Sequence, residues 1–146
     1  MNNLTTNNFN INVHGELLDN KISKEKFFNI FSSFLLVNNV ESITFMFKKP
    51  ILMNEMNFWI IVHFKKDFVS RIELENAEES LINNYNDWSN SKIEKKKDSH
   101  DHWLKRNLGE PSYIKEMSTI YSFPFGQITS YIDQKSGEVG IAIEYK

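Results

Sequence analysis

The residues most suited to chemistry in this 146-residue chain are His100, Asp101 and His102. Imidazole and carboxylate groups bind divalent metals, and a histidine beside an aspartate can move protons. Such a cluster would fit a small metal-dependent hydrolase or nuclease. Residues two apart do not share a helix face, however, and no third ligand stands nearby in sequence. A solvated helix start accounts for the same three residues. His63 lies in an apolar run and reads as a hydrogen-bonded, mostly buried histidine rather than a base. Lys95, Lys96 and Lys97, flanked by Glu94 and Asp98, read as a solvated face rather than a phosphate site.

Other catalytic signatures are absent from the sequence. The five glycines are scattered, and none leads a strand into a helix as a phosphate loop would. There is no Gly-x-Ser-x-Gly element. Thr129 and Ser130 fall in an alternating strand and have ordinary packing roles. The absence of cysteine removes disulfides, thiolate catalysis and cysteine-ligated zinc or iron–sulfur centres. No cofactor is expected.

The acidic group Glu73, Glu75, Glu78 and Glu79 is a candidate partner-binding site. Glu73 and Glu75 share a strand face, and Glu78 and Glu79 open the next element. Together they would form a negative patch that attracts a basic partner. Acids at a helix start also complement the helix dipole, which is the blander account. Trp88 and Trp103 could anchor an interface, but both fall on helical apolar stripes and read as core.

The elements that must position these residues follow from periodicity. Ile11 and Val13 alternate in a first strand with Phe9. Gly15 to Lys21 reads as a turn. Ser23 caps a helix whose stripe is Phe27, Ile30, Phe31 and Phe34. Three strands follow: one around Phe45, the run Phe58–Phe64, and Phe68–Glu75. The run FWIIVHF is apolar on both faces, which predicts a central strand covered on both sides. Ala77 to Trp88 reads as a helix with Leu81, Ile82, Tyr85 and Trp88 on one face. Residues 89–101 read as a solvated helical extension or a loop. A further helical piece, His102–Leu108, ends at Gly109 and Pro111. Three strands close the chain. Its last hairpin turns through Asp133–Gly137, where Gly137 supplies a left-handed conformation. The predicted order is β-α-β-β-β-α-α-β-β-β. The class is α+β: a mainly antiparallel sheet with helices packed on one face.

Length and composition set the remaining bounds. Residues 9–146 are long enough for a single well-filled domain, rich in aromatics with 12 Phe, 5 Tyr and 3 Trp, after a flexible start at 1–8. A net charge of −2 argues against nucleic acid as a partner. The polar, Asn-rich start carries no signal-peptide pattern. The longest apolar stretch, Phe27–Val37, is too short to span a bilayer. The cysteine-free composition fits a cytoplasmic protein. The weight of Asn, Lys, Ile and Phe fits an AT-rich bacterial gene.

The segments WLKRNLGEP, IYSFPFGQITSYID and KSGEVGIAIEY occupy the last third of the chain. Their landmarks are Trp103, Leu108, Gly109, Pro111, Gly126, Asp133, Gly137 and Tyr145. This portion resembles small bacterial proteins encoded beside polymorphic toxin genes, the immunity proteins of contact-dependent growth inhibition and related systems. The resemblance implies a small, cytoplasmic, non-enzymatic protein. Such proteins bind one cognate toxin and block its active site or substrate surface. A ligand-binding module with an apolar pocket between sheet and helices is another reading that the Phe-rich core allows.

Overall fold

A computed structural model describes residues 3–4, 11–37, 39–84 and 87–146, with the side chains of residues 3 and 4 excepted. The chain runs β1 (Asn3–Leu4), β2 (Ile11–Val13), β3 (Glu16–Leu18), α1 (Lys24–Phe31), β4 (Thr44–Met46), β5 (Ile51–Met53), β6 (Met56–Lys65) and β7 (Phe68–Asn76). It continues through α2 (Asn90–Leu108), β8 (Tyr113–Lys115), β9 (Ser118–Phe123), β10 (Gly126–Ile132) and β11 (Val139–Tyr145). Strands β1 to β3 form a small sheet. The other eight form one sheet in the order β4-β6-β7-β11-β10-β9-β8, with β5 also pairing β6. Every described pairing is antiparallel. The architecture is therefore α+β, as the sequence predicts. The expected flexible start at 1–8 lies outside the described residues, apart from Asn3 and Leu4.

Strand alternation divides the large sheet into two unlike faces. Phe58, Ile60, Val62 and Phe64 of β6, Ile72 and Leu74 of β7, and Ile141 and Ile143 of β11 are all buried. The register sets Ile72 against Ile143 and Leu74 against Ile141 across the junction of the two halves of the sheet. Both helices cover this face. Ser23 caps α1 by accepting from the Lys26 N–H at 3.1 Å. The helix then buries Phe27 and Phe31, and the Phe27 ring meets Phe45 at 5.5 Å and Phe64 at 5.2 Å. Helix α2 buries His100, Trp103 and Leu104. The Trp103 ring stands edge-on to Phe58 at 4.7 Å, and its Nε1–H donates to the Met53 and Asn54 carbonyls, each at 3.1 Å. Ile11, Val13 and Leu18 of the small sheet join the same core.

Several local expectations hold. Gly109 (φ +85) ends α2, and its N–H returns to Lys105 O at 2.9 Å. Gly137 takes φ +76 in the last hairpin. The β2–β3 turn is tighter than expected: His14 (φ +53) and Gly15 (φ +80) make it alone, and Glu16–Leu18 is already strand.

Three expectations are corrected. The described residues of 77–88 do not form the expected helix; among them a single 3₁₀ turn, Glu79–Leu81, stands. Asparagine side chains bond the backbone at either end of this stretch. Asn76 Oδ1 accepts from the Glu78 N–H at 3.1 Å, and Asn83 Oδ1 accepts from the Ser89 N–H at 2.8 Å. Leu81 is buried, but Ile82 and Trp88 are exposed, and Tyr85 lies outside the described residues. The stretch from 90 onward, read as an extension or a loop, is one continuous 19-residue helix to Leu108. Finally, β6 is covered on one face only. Trp59, Ile61 and His63 are half-buried on the other.

The Asn54–Glu55 loop joining β5 to β6 takes φ +47 and +73, a two-residue turn that favours glycine at its second position. Glu55→Gly is expected to stabilise the protein by about 1 kcal/mol, because a side chain there opposes the left-handed backbone. Trp103→Ala should cost about 3–5 kcal/mol through the cavity it leaves. Urea unfolding monitored by circular dichroism checks both, and a midpoint lowered by Glu55→Gly would contradict the first.

Candidate functional site

The face of the large sheet opposite the helices is the candidate site. It is built by the members of each alternation that face away from the helices: Trp59, Ile61 and His63 on β6, Arg71, Glu73 and Glu75 on β7, Tyr131 on β10 and Glu144 on β11. Register places His63 against Arg71, Ile61 against Glu73, and Trp59 against Glu75. It also places Arg71 against Glu144 and Gly140 against Tyr131. The side chains at these positions are half-buried: they pack along the sheet but keep contact with solvent.

A polar network runs across this face. His63 Nε2 lies 2.5 Å from Glu73 Oε2, and Thr44 Oγ1 lies 3.1 Å from His63 Nδ1. A carboxylate can only accept, so Nε2 donates to Glu73, and in the neutral ring the Thr44 hydroxyl then donates to Nδ1. Arg71 reaches Glu73 at 3.3 Å and Glu144 at 3.4 Å. The Tyr131 hydroxyl donates to Glu73 Oε1 at 3.3 Å, and the Arg71 guanidinium stands 5.9 Å from the Tyr131 ring centre. Burial alone would raise the Glu73 carboxyl. The hydrogen bond from His63 and the charge of Arg71 together outweigh it and hold the group below its ordinary value. Burial and the adjacent Glu73 charge push the Tyr131 hydroxyl up.

Thr44, His63 and Glu73 stand in the order hydroxyl, imidazole, carboxylate, which is also the order of an acyl-transfer relay. Here the contacts follow from strand register. Thr44 opposes His63 in the β4–β6 ladder, and Glu73 is two residues from its partner Arg71. The network is a set of satisfied cross-strand neighbours that fixes side-chain positions on the open face.

The predicted acidic group is divided by the structure. Glu73 sits inside the network, and Glu75 takes the Lys96 ammonium of α2 at 2.9 Å. Glu78 and Glu79 follow in the exposed turn, where Glu78 accepts from the Ser80 hydroxyl at 2.9 Å. Lys96 and Lys97 are not a solvated face. Their side chains are 12% exposed, and Lys97 pairs with Asp101 at 2.7 Å.

His100, Asp101 and His102 leave α2 in different directions. His100 is fully buried, and its Nε2 accepts from the Asn76 backbone N–H at 2.9 Å. Asp101 is half-buried against Lys97, and His102 is exposed with Nδ1 at 2.8 Å from Asp98 O. The expectation of a solvated helix start is thus corrected for His100, which faces the core. Among the described residues no three His, Asp or Glu side chains gather as a metal site.

Sequence reasoning missed Trp59, Arg71, Tyr131 and Gly140 as members of one surface. The available signal was the mixture at alternate positions of β6, where Trp59 and His63 have polar ends unlike Phe58 and Val62.

No family model matches the sequence, and no curated protein matches it either. The fold does have a counterpart. A solved structure of Rhs1-CT in complex with its cognate immunity protein RhsI1 contains a chain similar to this one. The match covers 100% of this chain and 88% of that one, with a TM-score of 0.56 and 13% sequence identity. The likeness is one of fold. It shows that the two chains share an overall architecture. Among the described residues, no helix is long and apolar enough to cross a membrane.

Burial, with the neighbouring Lys96 charge adding to it, pushes the His100 imidazole down to about 3. The unfolded chain binds this proton below about pH 6.5, and the folded chain refuses it until near pH 3. Stability from this residue is therefore present above the unfolded value and declines as pH falls below it. Between pH 7 and pH 5 the decline should be about 2 kcal/mol, at a pH where most carboxylates remain ionised. His100→Gln, which can still accept from Asn76, should flatten that slope. An unchanged slope in urea titrations of the variant would assign the effect elsewhere.

Proposed function

We propose that this chain is an immunity protein that binds a cognate bacterial toxin in the cytoplasm and blocks its active site or substrate surface. The observation that carries the reading is the full-length likeness of fold to a chain from a toxin–immunity complex. The open sheet face supports it from the chain's own chemistry. Trp, Tyr and Arg are the residue types that dominate binding energy at protein interfaces. Here Trp59, Tyr131 and Arg71 stand together, half-exposed, on a rigid sheet. The polar ends of Tyr131 and Arg71 are already held by Glu73, so little ordering of those two side chains is left for the moment of binding.

On this reading the partner surface runs from the open face, through Glu73 and Glu75, to the exposed turn with Glu78 and Glu79. The protein acts by occupancy and carries out no reaction. Inhibition is then stoichiometric, and a bound toxin is released unchanged.

The test is co-expression with the product of the adjacent gene. The expected result is a one-to-one complex on size exclusion and rescue of growth from a toxic C-terminal domain. Trp59→Ala and Tyr131→Ala should each weaken binding by about 2 kcal/mol or more, while circular dichroism spectra stay unchanged. A non-toxic neighbour that does not bind would remove the reading.

A further inference from the structure

The open face contains a groove of about 490 Å³ between β7 and the start of β11. Trp59 and Tyr131 supply aromatic surface, and Glu73, Glu75 and Glu138 supply carboxylates. Its shape depends on Gly140. A Cβ on Gly140 would come within 2.9 Å of the Tyr131 hydroxyl oxygen and 3.2 Å of its ring. Without that carbon, the Tyr131 ring lies across β11 and reaches Glu73 on the far strand. The tyrosine thereby walls the groove instead of standing away from the sheet.

The charge here is unbalanced. Four carboxylates, Glu73, Glu75, Glu138 and Glu144, stand in or beside the groove. Two permanent cations answer them: Arg71, shared by Glu73 and Glu144, and Lys96, which reaches Glu75 from the helix side. Glu138 is exposed at the start of β11 and makes no side-chain ion pair among those described. A groove with two aromatic walls and an excess of negative charge favours one kind of occupant. The apolar stem of a lysine or arginine packs on the rings, and its charged end meets the carboxylates.

We propose that this groove receives a basic side chain, arginine above all, projecting from the protein partner. The inference rests on the reading of the open face as the partner surface and names the chemistry that surface selects. The guanidinium is planar, stacks on aromatic rings and pairs with a carboxylate through two parallel bonds, which the flat walls and Glu138 accommodate better than an ammonium.

The first measurement uses the full chain and argininamide as the probe, followed by ¹⁵N–¹H NMR. Argininamide should produce saturable shifts at the Trp59 indole and the Gly140 amide, leaving the buried Trp103 indole unmoved. Norvaline amide, which keeps the α-amino group but lacks the guanidinium, should not. Glu138→Lys should weaken the argininamide response roughly tenfold. Gly140→Ala, which displaces Tyr131, should weaken it without changing any charge. Absence of shifts, or equal shifts with norvaline amide, overturns the proposal. The second measurement is toxin affinity for the Glu138→Lys variant at low and high salt. Weaker, less salt-dependent binding supports the proposal; a toxin bound equally well by the variant overturns it. Argininamide shifts in a protein that binds no neighbouring toxin would uphold the groove and reject the immunity reading.

Discussion

Strand alternation in β6 and β7 is the constraint from which the rest of the structure follows. Once Phe58, Ile60, Val62 and Phe64 face the helices, Trp59, Ile61 and His63 must face away. Register carries that decision across the sheet, from β7 to β11 and on to β10. A slip of one residue would expose the phenylalanines and bury Glu73, Arg71 and Glu144 without solvent. Each such charge would demand a new partner in the core. The large apolar cluster therefore sets the position of every polar group on the opposite face, although the two sets of residues hardly touch.

The open face illustrates how a sheet can carry charge without losing order. Glu73 takes bonds from His63, Arg71 and Tyr131, so its lone pairs are largely engaged before any partner arrives. Exposed ion pairs of this kind add little to stability. Their effect is positional: they hold the aromatic and cationic side chains in one arrangement. Gly140 is the residue that permits this, since any larger side chain would lift Tyr131 away from Glu73. A glycine within a strand ordinarily weakens it, and here the vacated space is filled by a ring from the neighbouring strand.

The class and the strands of the second half were legible because their alternation is regular and Gly109, Gly126 and Gly137 punctuate it. The start of α2 was hidden by its composition. Residues 90–99 are almost wholly polar; Lys97 meets Asp101 one turn on within the helix, but Lys96 reaches Glu75 on β7, a contact that no local pattern discloses. The false helix at 77–88 had the opposite cause. Its apolar residues recur at helical spacing, but Leu81 is buried while Ile82 and Trp88 are exposed, so no apolar stripe packs on the core to hold a helix there. The acidic group was visible as a list of residues, whereas its division between an engaged pair and an exposed pair depends on hydrogen-bond donors from β6, β7, β10 and α2. Trp59 was legible only as part of a strand covered on both faces, because one-sided coverage of the sheet is a tertiary fact.

The two histidines that drew attention in the sequence show why environment, not residue type, decides a role. His100 has lost its access to protons: it is buried, accepts one backbone bond and stays neutral. It belongs to the stability of the α2–β7 contact. His63 lies on the open face between Thr44 and Glu73, where its ring positions a carboxylate. This division holds across the molecule. Residues on the helix side set stability, and residues on the open side set what the surface can meet. Substitutions on the open face can therefore change partner choice while the core that positions them stays intact, a separation that suits a scaffold whose task is to match one particular surface.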